Sequence, residues 1–194
     1  MYEFQAEAMI INKYGKWRLR VYKHKVSNKE HIALISVGAD INKPILVRIH
    51  SSCITGDVFY SEQCDCREQL NEAMVMIGKE HGIILYLFQE GRNIGLTNKI
   101  RAYALKERGF DTYEANRALG LPDDNRNYSV AGEILDDLGI KNIKLMTNNP
   151  NKINAIKKMG IKVERISDEI EPTKYNHKYL SSKKKNGHIL KKIK

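Results

Sequence analysis

Ile143-Lys144-Leu145-Met146-Thr147-Asn148-Asn149-Pro150 decides the fold class. A short apolar strand pattern runs into polar residues, and Pro150, whose fixed φ suits the first turn of a helix, opens a helical stretch over 150–159. A second short apolar run at 163–166 follows, so strand, helix and strand succeed one another in the α/β manner. Working outward, residues 129–138 read as another helix, 111–127 as a polar loop, and 96–108 as a helix stopped by Gly109. Residues 89–95 form a glycine-bearing loop, and 83–88 a buried type of strand. Over 67–80, Leu70, Ala73, Met74 and Ile77 share one face of a helix ended by Gly82. Ile45-Leu46-Val47-Arg48-Ile49 is a strong strand signal, 31–37 is a further strand, and 4–37 alternate around Tyr14-Gly15-Lys16 as an opening hairpin. The expected class is α+β: a mixed β-sheet or barrel-like N-terminal part, with α/β alternation in the C-terminal half. No repeat or hinge divides the pattern, which gives one domain over 1–180 and a basic tail over 181–194.

Bulk properties exclude several classes. The 194 residues are 42% apolar and 29% charged, ordinary globular usage and far from that of disordered chains. The longest apolar runs, such as 83–88, fall well short of the roughly 18 residues that span a bilayer. Met1 opens onto Tyr2-Glu3-Phe4 rather than a basic and apolar leader, so the expectation is a cytoplasmic protein with no membrane partner. The net charge of +10 points to an anionic partner, but residues 183–194 hold six lysines and no acid, so much of the excess is tail.

All three cysteines fall in one array, Cys53, Cys64 and Cys66. Cys64-Asp65-Cys66 is too tight for an ordinary bridge, and an odd count leaves one thiol over in any disulfide scheme. Thiolates are preferred zinc ligands, and zinc takes four in a tetrahedron, so this array is one short. Either a histidine closes the site, with His50 the nearest, or water does. Water in the open position would make the site catalytic, because the metal generates a nucleophile near neutral pH. Cys64 and Cys66 fall at the start of the 67–80 helix, whose dipole favours thiolate. Three reduced cysteines without a metal remain the bland alternative.

Arg48-Ile49-His50-Ser51-Ser52-Cys53-Ile54-Thr55-Gly56-Asp57, then Cys64-Asp65-Cys66, then Gln89-Glu90-Gly91-Arg92-Asn93-Ile94-Gly95-Leu96, in this order, resemble the core of GTP cyclohydrolase II. The similarity continues through the stretch from Asn98 to Leu105, Asp111-Thr112, Glu114-Ala115-Asn116, Asp124-Asn125-Arg126, and Leu145-Met146-Thr147-Asn148-Asn149-Pro150, and reaches Lys185-Asn186-Gly187-His188. That resemblance implies opening of the GTP imidazole ring with loss of formate and pyrophosphate, the first step of riboflavin biosynthesis. It implies one zinc per chain on Cys53, Cys64 and Cys66, magnesium on the triphosphate, and a homodimer. It assigns Asp124 as general base, Arg126 as the group attacking the α-phosphorus, and Tyr103 to the ring-opening step. The GTP-binding positions it implies are Arg48, His50, Ser51, Gln69, Glu90, Gly91, Arg92, Thr112, Thr147 and Lys152.

Chemistry supports part of this set on its own terms. Arg48, Arg92, Arg126 and Lys152 are donors suited to a triphosphate, and Gly91 and Gly95 allow close backbone approach. Glu90 could accept from the guanine N1–H and amino group. Arginine is a poor nucleophile because it stays protonated, so Asp124 more simply ion-pairs with Arg126. His50 could be a plain strand residue, Tyr103 a packing aromatic, and Thr147 a cap on the next helix. Three positions depart from the family pattern. Ser52 replaces a glutamate, Gln63 a basic residue and Arg67 a glycine, which leaves open a zinc cyclohydrolase with an altered substrate or product. The non-enzymatic alternative is a zinc-stabilised basic nucleic-acid-binding protein, against which stand the missing stacking aromatics and second ligand pair.

Overall fold

The computed structural model describes residues 1–193; Lys194, the last residue of the expected tail, lies outside them. Two compact units emerge. One comprises Met1–His50, Leu70–Phe88 and Asn127–Asp168; the other comprises Ser51–Gln69, Gln89–Arg126 and the chain from Glu169 onward.

Seven strands of the first unit, β1 (Tyr2–Asn12), β2 (Gly15–His24), β3 (Glu30–Ser36), β4 (Ile45–Ser51), β5 (Ile83–Leu87), β6 (Asn142–Met146) and β7 (Lys162–Ile166), form one sheet in the order β1-β2-β3-β5-β4-β6-β7. It is the sheet and not the barrel form of the expectation, with β1 and β7 at its edges. β1 and β2 are the expected hairpin, antiparallel from Tyr2↔His24 to Asn12↔Gly15. Its turn is closed by the Tyr14 N–H donating to Asn12 Oδ1 at 2.9 Å, the short-range bond that suits asparagine to turns. β4, β6 and β7 are parallel. Parallel neighbours need a crossover, and α7 (Pro150–Lys158) supplies it between β6 and β7.

β4 explains where the core sits. Successive strand residues point to opposite faces, and every residue from Ile45 to His50 is buried. Ile45, Val47 and Ile49 join one cluster with Ile83, Leu85 and Leu87 of β5, Ile134 and Leu135 of α6 (Ser129–Asp137), and Ile156 of α7. Leu46 and Ile84 join the other with Trp17 and with Ala73 and Ile77 of α2 (Cys66–Glu80). Each fully buried side chain of this size contributes about 1.5–3 kcal/mol, so a strand covered on both faces is the most stabilised part of the sheet. α2 ends at Glu80, and Gly82 is fixed there sterically, since a Cβ would lie 2.2 Å from the Leu46 carbonyl oxygen.

The second unit contains α1 (Ile54–Asp57), the first turn of α2, α3 (Glu90–Asn93), α4 (Leu96–Glu107), α5 (Thr112–Ala118) and α8 (His177–Lys185). α3, inside the expected 89–95 loop, and α5 depart from the sequence reading, and α8 adds to it. α5 forms within the expected 111–127 loop because Asp111 accepts from the Tyr113 and Glu114 N–H groups while Glu114 bonds back to the Asp111 N–H. This capping box offsets the cost of starting so short a helix. α8 forms at the start of the expected tail, and the backbone N–H groups of Lys191 and Lys192 donate to Glu169. No helix among the described residues is long and apolar enough to cross a membrane.

One buried group makes stability pH-dependent. His31 is fully buried in β3, and its Nδ1 accepts from the Phe88 N–H at 3.0 Å while Nε2 faces the Tyr2 hydroxyl at 3.1 Å. An amide can only donate, so Nδ1 must be unprotonated. Burial, helped by Lys29 and His24, lowers the pKa from 6.5 to about 4. The stability from a neutral His31 is complete above the unfolded value and is lost as pH falls from about 6.5 through about 4, by about 3 kcal/mol in all. Denaturant unfolding at pH 7 and pH 4.5 should therefore show a steeper loss for the parent than for His31→Gln; equal losses would contradict the assignment.

Candidate metal centre and its cavity

The second unit gathers the three thiols. Cys53 sits at the start of α1, its N–H held by Asp57 Oδ2 at 3.0 Å, while Cys64 immediately precedes α2 and Cys66 opens it. Their sulfurs all lie within 4.8 Å of one another, with Cys53 and Cys64 3.8 Å apart. Ligands at about 2.3 Å from a tetrahedral zinc are about 3.8 Å apart, which the Cys53–Cys64 separation matches. Gly56 packs directly on the cluster, where a Cβ would lie 3.0 Å from Cys64 Sγ and 3.3 Å from Cys53 Sγ.

A cation and a carboxylate brace the first thiol. Lys99 of α4, 7% exposed, points Nζ to Cys53 Sγ at 3.2 Å and to Glu90 Oε1 at 2.8 Å. Glu90 also accepts from the Gly91 N–H at 3.0 Å and, through Oε2, from the Ile54 N–H at 2.7 Å. The loop that presents Cys53 is thus tied to α4 through one carboxylate. Burial alone would lower the Lys99 pKa, but the Cys53 charge and Glu90 outweigh it and hold the ammonium well above its usual value.

The sulfurs share very little negative charge by themselves. Hydrogen bonds from Cys64 and Cys66 depress the Cys53 pKa far below the thiol range, with Lys99 assisting against burial. The same bond to Cys53 raises Cys64 to about 11, and bonds to both partners raise Cys66 well above its usual value. At neutral pH the cluster carries one thiolate and two thiols, so a divalent ion must displace two protons. Metal affinity should therefore rise with pH across 6–8, by up to about two log units per pH unit. Calorimetry in buffers of differing ionisation enthalpy should count about two protons released per ion; a count near zero would contradict this charge state.

The thiols open onto a cavity of about 100 Å³. One wall is an unusual backbone: Gly91, Arg92 and Asn93 have φ of 60°, 60° and 69°. Left-handed backbone costs an ordinary residue about 1–2 kcal/mol. Here it is offset by bonds to the 123–125 segment: Arg92 Nη1 to the Asp123 carbonyl at 3.1 Å, Asn93 Nδ2 to the Asn125 carbonyl at 2.9 Å, and the Asn125 N–H to the Arg92 carbonyl at 3.1 Å. The next residue but one from Asp124, Arg126, donates to it through Nε at 2.9 Å and Nη2 at 2.5 Å. This fork outweighs burial and lowers the Asp124 pKa. The pair is the ion pair that simple chemistry anticipates.

Of the residues singled out in the sequence, Ser51, Cys53, Cys64, Cys66, Glu90, Gly91, Arg92, Tyr103, Thr112 and Arg126 line this cavity. Asp124 meets it through Arg126, and Gln69 lies half-buried one turn into α2. Burial raises the Tyr103 pKa, so its hydroxyl keeps its proton. Arg48, His50, Thr147 and Lys152 are buried in the first unit, at or beyond the C-terminal ends of β4 and β6. Arg48 ion-pairs with Asp168 and donates to the Met146 carbonyl at 3.2 Å. His50 stacks on Tyr86 with ring centroids 5.4 Å apart. Lys152 donates to the Ile49 carbonyl at 2.7 Å. Thr147 does not cap α7: its Oγ1 accepts from the Asn149 N–H, and Asn149 is the cap. Lys99, Lys106, Asn116 and Tyr179 also line the cavity and were not singled out from the sequence. Helical spacing from Tyr103 could have found Lys99 and Lys106, which share its face of α4.

Fold and site together define a class: an α+β protein with a three-thiol cluster able to hold a metal ion, opening onto a cation-lined cavity. The family model described as GTP cyclohydrolase II matches residues 3–167, and the chain belongs to that family. It is 46% identical over 188 residues to the GTP cyclohydrolase-2 of Histophilus somni (strain 2336), covering 95% of this chain and 87% of that one. It is 48% identical over 184 residues to the riboflavin biosynthesis protein RibBA of Endomicrobium trichonymphae, covering 93% of this chain and 46% of that one. The RibBA of Aquifex aeolicus (strain VF5) is also 48% identical, over 188 residues. The chain spans about half the length of these RibBA relatives. Among solved structures, RibBX, a two-domain 3,4-dihydroxy-2-butanone 4-phosphate synthase from A. baumannii, matches with a TM-score of 0.50 at 20% identity, over 87% of this chain and 40% of that one. That likeness concerns the fold alone.

Proposed function

We propose that this chain opens the imidazole ring of GTP, releasing formate and pyrophosphate, as the first step of riboflavin biosynthesis. The single observation that carries the reading is the three-thiol cluster facing one cavity with Arg92, Lys106 and Arg126. Zinc bound to Cys53, Cys64 and Cys66 would supply Lewis acidity and a water activated for attack on an electron-poor ring carbon. Lys99 offsets the negative charge that three thiolates bring to such a site. Tyr103, protonated, donates a hydrogen bond toward the opening ring. Arg92 and Arg126 neutralise triphosphate charge, magnesium sharing that load, and Arg126 acts as a cation rather than a nucleophile, consistent with its fork to Asp124. With three acceptances already made within the chain, Glu90 serves as the anchor of Lys99 and of the Cys53 loop. Ser51 and Thr112 offer hydroxyls to substrate.

Of the three departures behind the altered-substrate reading, Ser52 and Gln63 line cavities that share Tyr103, Lys106, Thr112 and Tyr179. Arg67 donates to the Asp57 carbonyl at 2.8 Å and lies over the Tyr60 ring, and Gln63 is exposed. Ser52 alone of the three departures lines the thiol cavity. The same reading carries a homodimer, which sedimentation would register.

Incubation with GTP, Zn²⁺ and Mg²⁺, following formate and pyrophosphate separately, tests the proposal. Release of both supports it; pyrophosphate alone favours an altered product, and salt-sensitive RNA binding without turnover favours the nucleic-acid alternative. Cys64→Ser should lose zinc and ring opening together, by at least about 10³-fold in rate. Full activity in metal-free Cys64→Ser protein would overturn the zinc mechanism.

A further inference from the structure

Residues from Glu169 onward lie beyond the matched family region of 3–167, yet α8 meets the ligand loop. Tyr179 and Lys183 are four residues apart and so share a helix face. Tyr179 lines the thiol cavity. Lys183 places Nζ 2.6 Å from Asp65 Oδ1, and the same ammonium lies 4.6 Å from the Tyr179 ring centroid, so the ring braces the lysine. Asp65 is 2% exposed and stands between Cys64 and Cys66. Its carbonyl accepts the Gln69 N–H at 3.1 Å, the bond that begins α2.

A residue flanked by two ligands sets the directions of both. If its side chain is pinned, the two thiols are oriented before the ion arrives; if it is free, binding must organise them. We propose that Lys183 is a positioning residue of the metal centre: its ion pair with Asp65 fixes the backbone between two of the three ligands, so the C-terminal helix sets metal affinity. The inference rests on Cys53, Cys64 and Cys66 being metal ligands. A purely structural ion pair would instead affect only how firmly α8 docks, and would move the stability of the metal-free protein without moving affinity for the ion.

The test uses the full-length chain and zinc alone, competed against a chromogenic chelator, with unfolding of the metal-free protein measured in parallel. Lys183→Met should weaken zinc binding about 10–100-fold. Lys183→Arg, which keeps the charge, should recover most of it, and Lys185→Met on the exposed side of α8 should stay within about twofold. Zinc binding by Lys183→Met within about twofold of the parent would overturn the proposal, whatever happens to its unfolding midpoint. Should Lys183→Met fail to fold, the Asp65→Asn, Lys183→Met double variant removes both charges, avoids an unpaired buried carboxylate, and should show the same weakening; parent-like affinity would overturn the proposal equally. A parent chain that binds no zinc would refute the ligand assignment itself, a result distinct from a parent that binds and a variant that binds as well.

Discussion

Three sulfurs cannot be crowded within a few ångströms and all be charged unless something positive sits among them. That constraint organises the second unit. Cys53 alone holds its charge, with Lys99 beside it, while Cys64 and Cys66 keep their protons. Lys99 would be costly to bury alone, and Glu90 makes it tolerable; Glu90 in turn is oriented by two backbone amides. Asp65, buried beside two of the thiols, is matched by Lys183. Charge is thus balanced in pairs around the three thiols.

The first unit meets a different demand, that of a strand enclosed on both faces. β4 gives alternate side chains to two hydrophobic clusters and then leads the chain directly to Cys53. Core strands of this kind open only with global unfolding.

Much of this was legible in the sequence, for physical reasons. Strands β4 to β7 and helices α2, α4, α6 and α7 announce themselves through apolar period and punctuation by Pro150, Gly82 and Gly109. The cysteine array announces the centre. α5 was missed because polar composition masked the Asp111 and Glu114 capping pair, a local signal only four residues wide. α8 was not read from the sequence because its lysines look like a solvated tail; Leu180 is buried in it and Lys183 pairs with Asp65, far back in the chain. The pairing of Arg48 with Asp168, far along the sequence, could not be read from the sequence. Pairings of that kind have no periodicity and leave no trace in a single chain.

The left-handed run at Gly91, Arg92 and Asn93 has a further consequence for the cavity rim. Backbone held in an unfavourable basin behaves as a loaded spring, with the 123–125 carbonyls and amide as its catch. Those bonds hold 91–93 and 123–125, two segments remote in sequence, together as one piece of the rim.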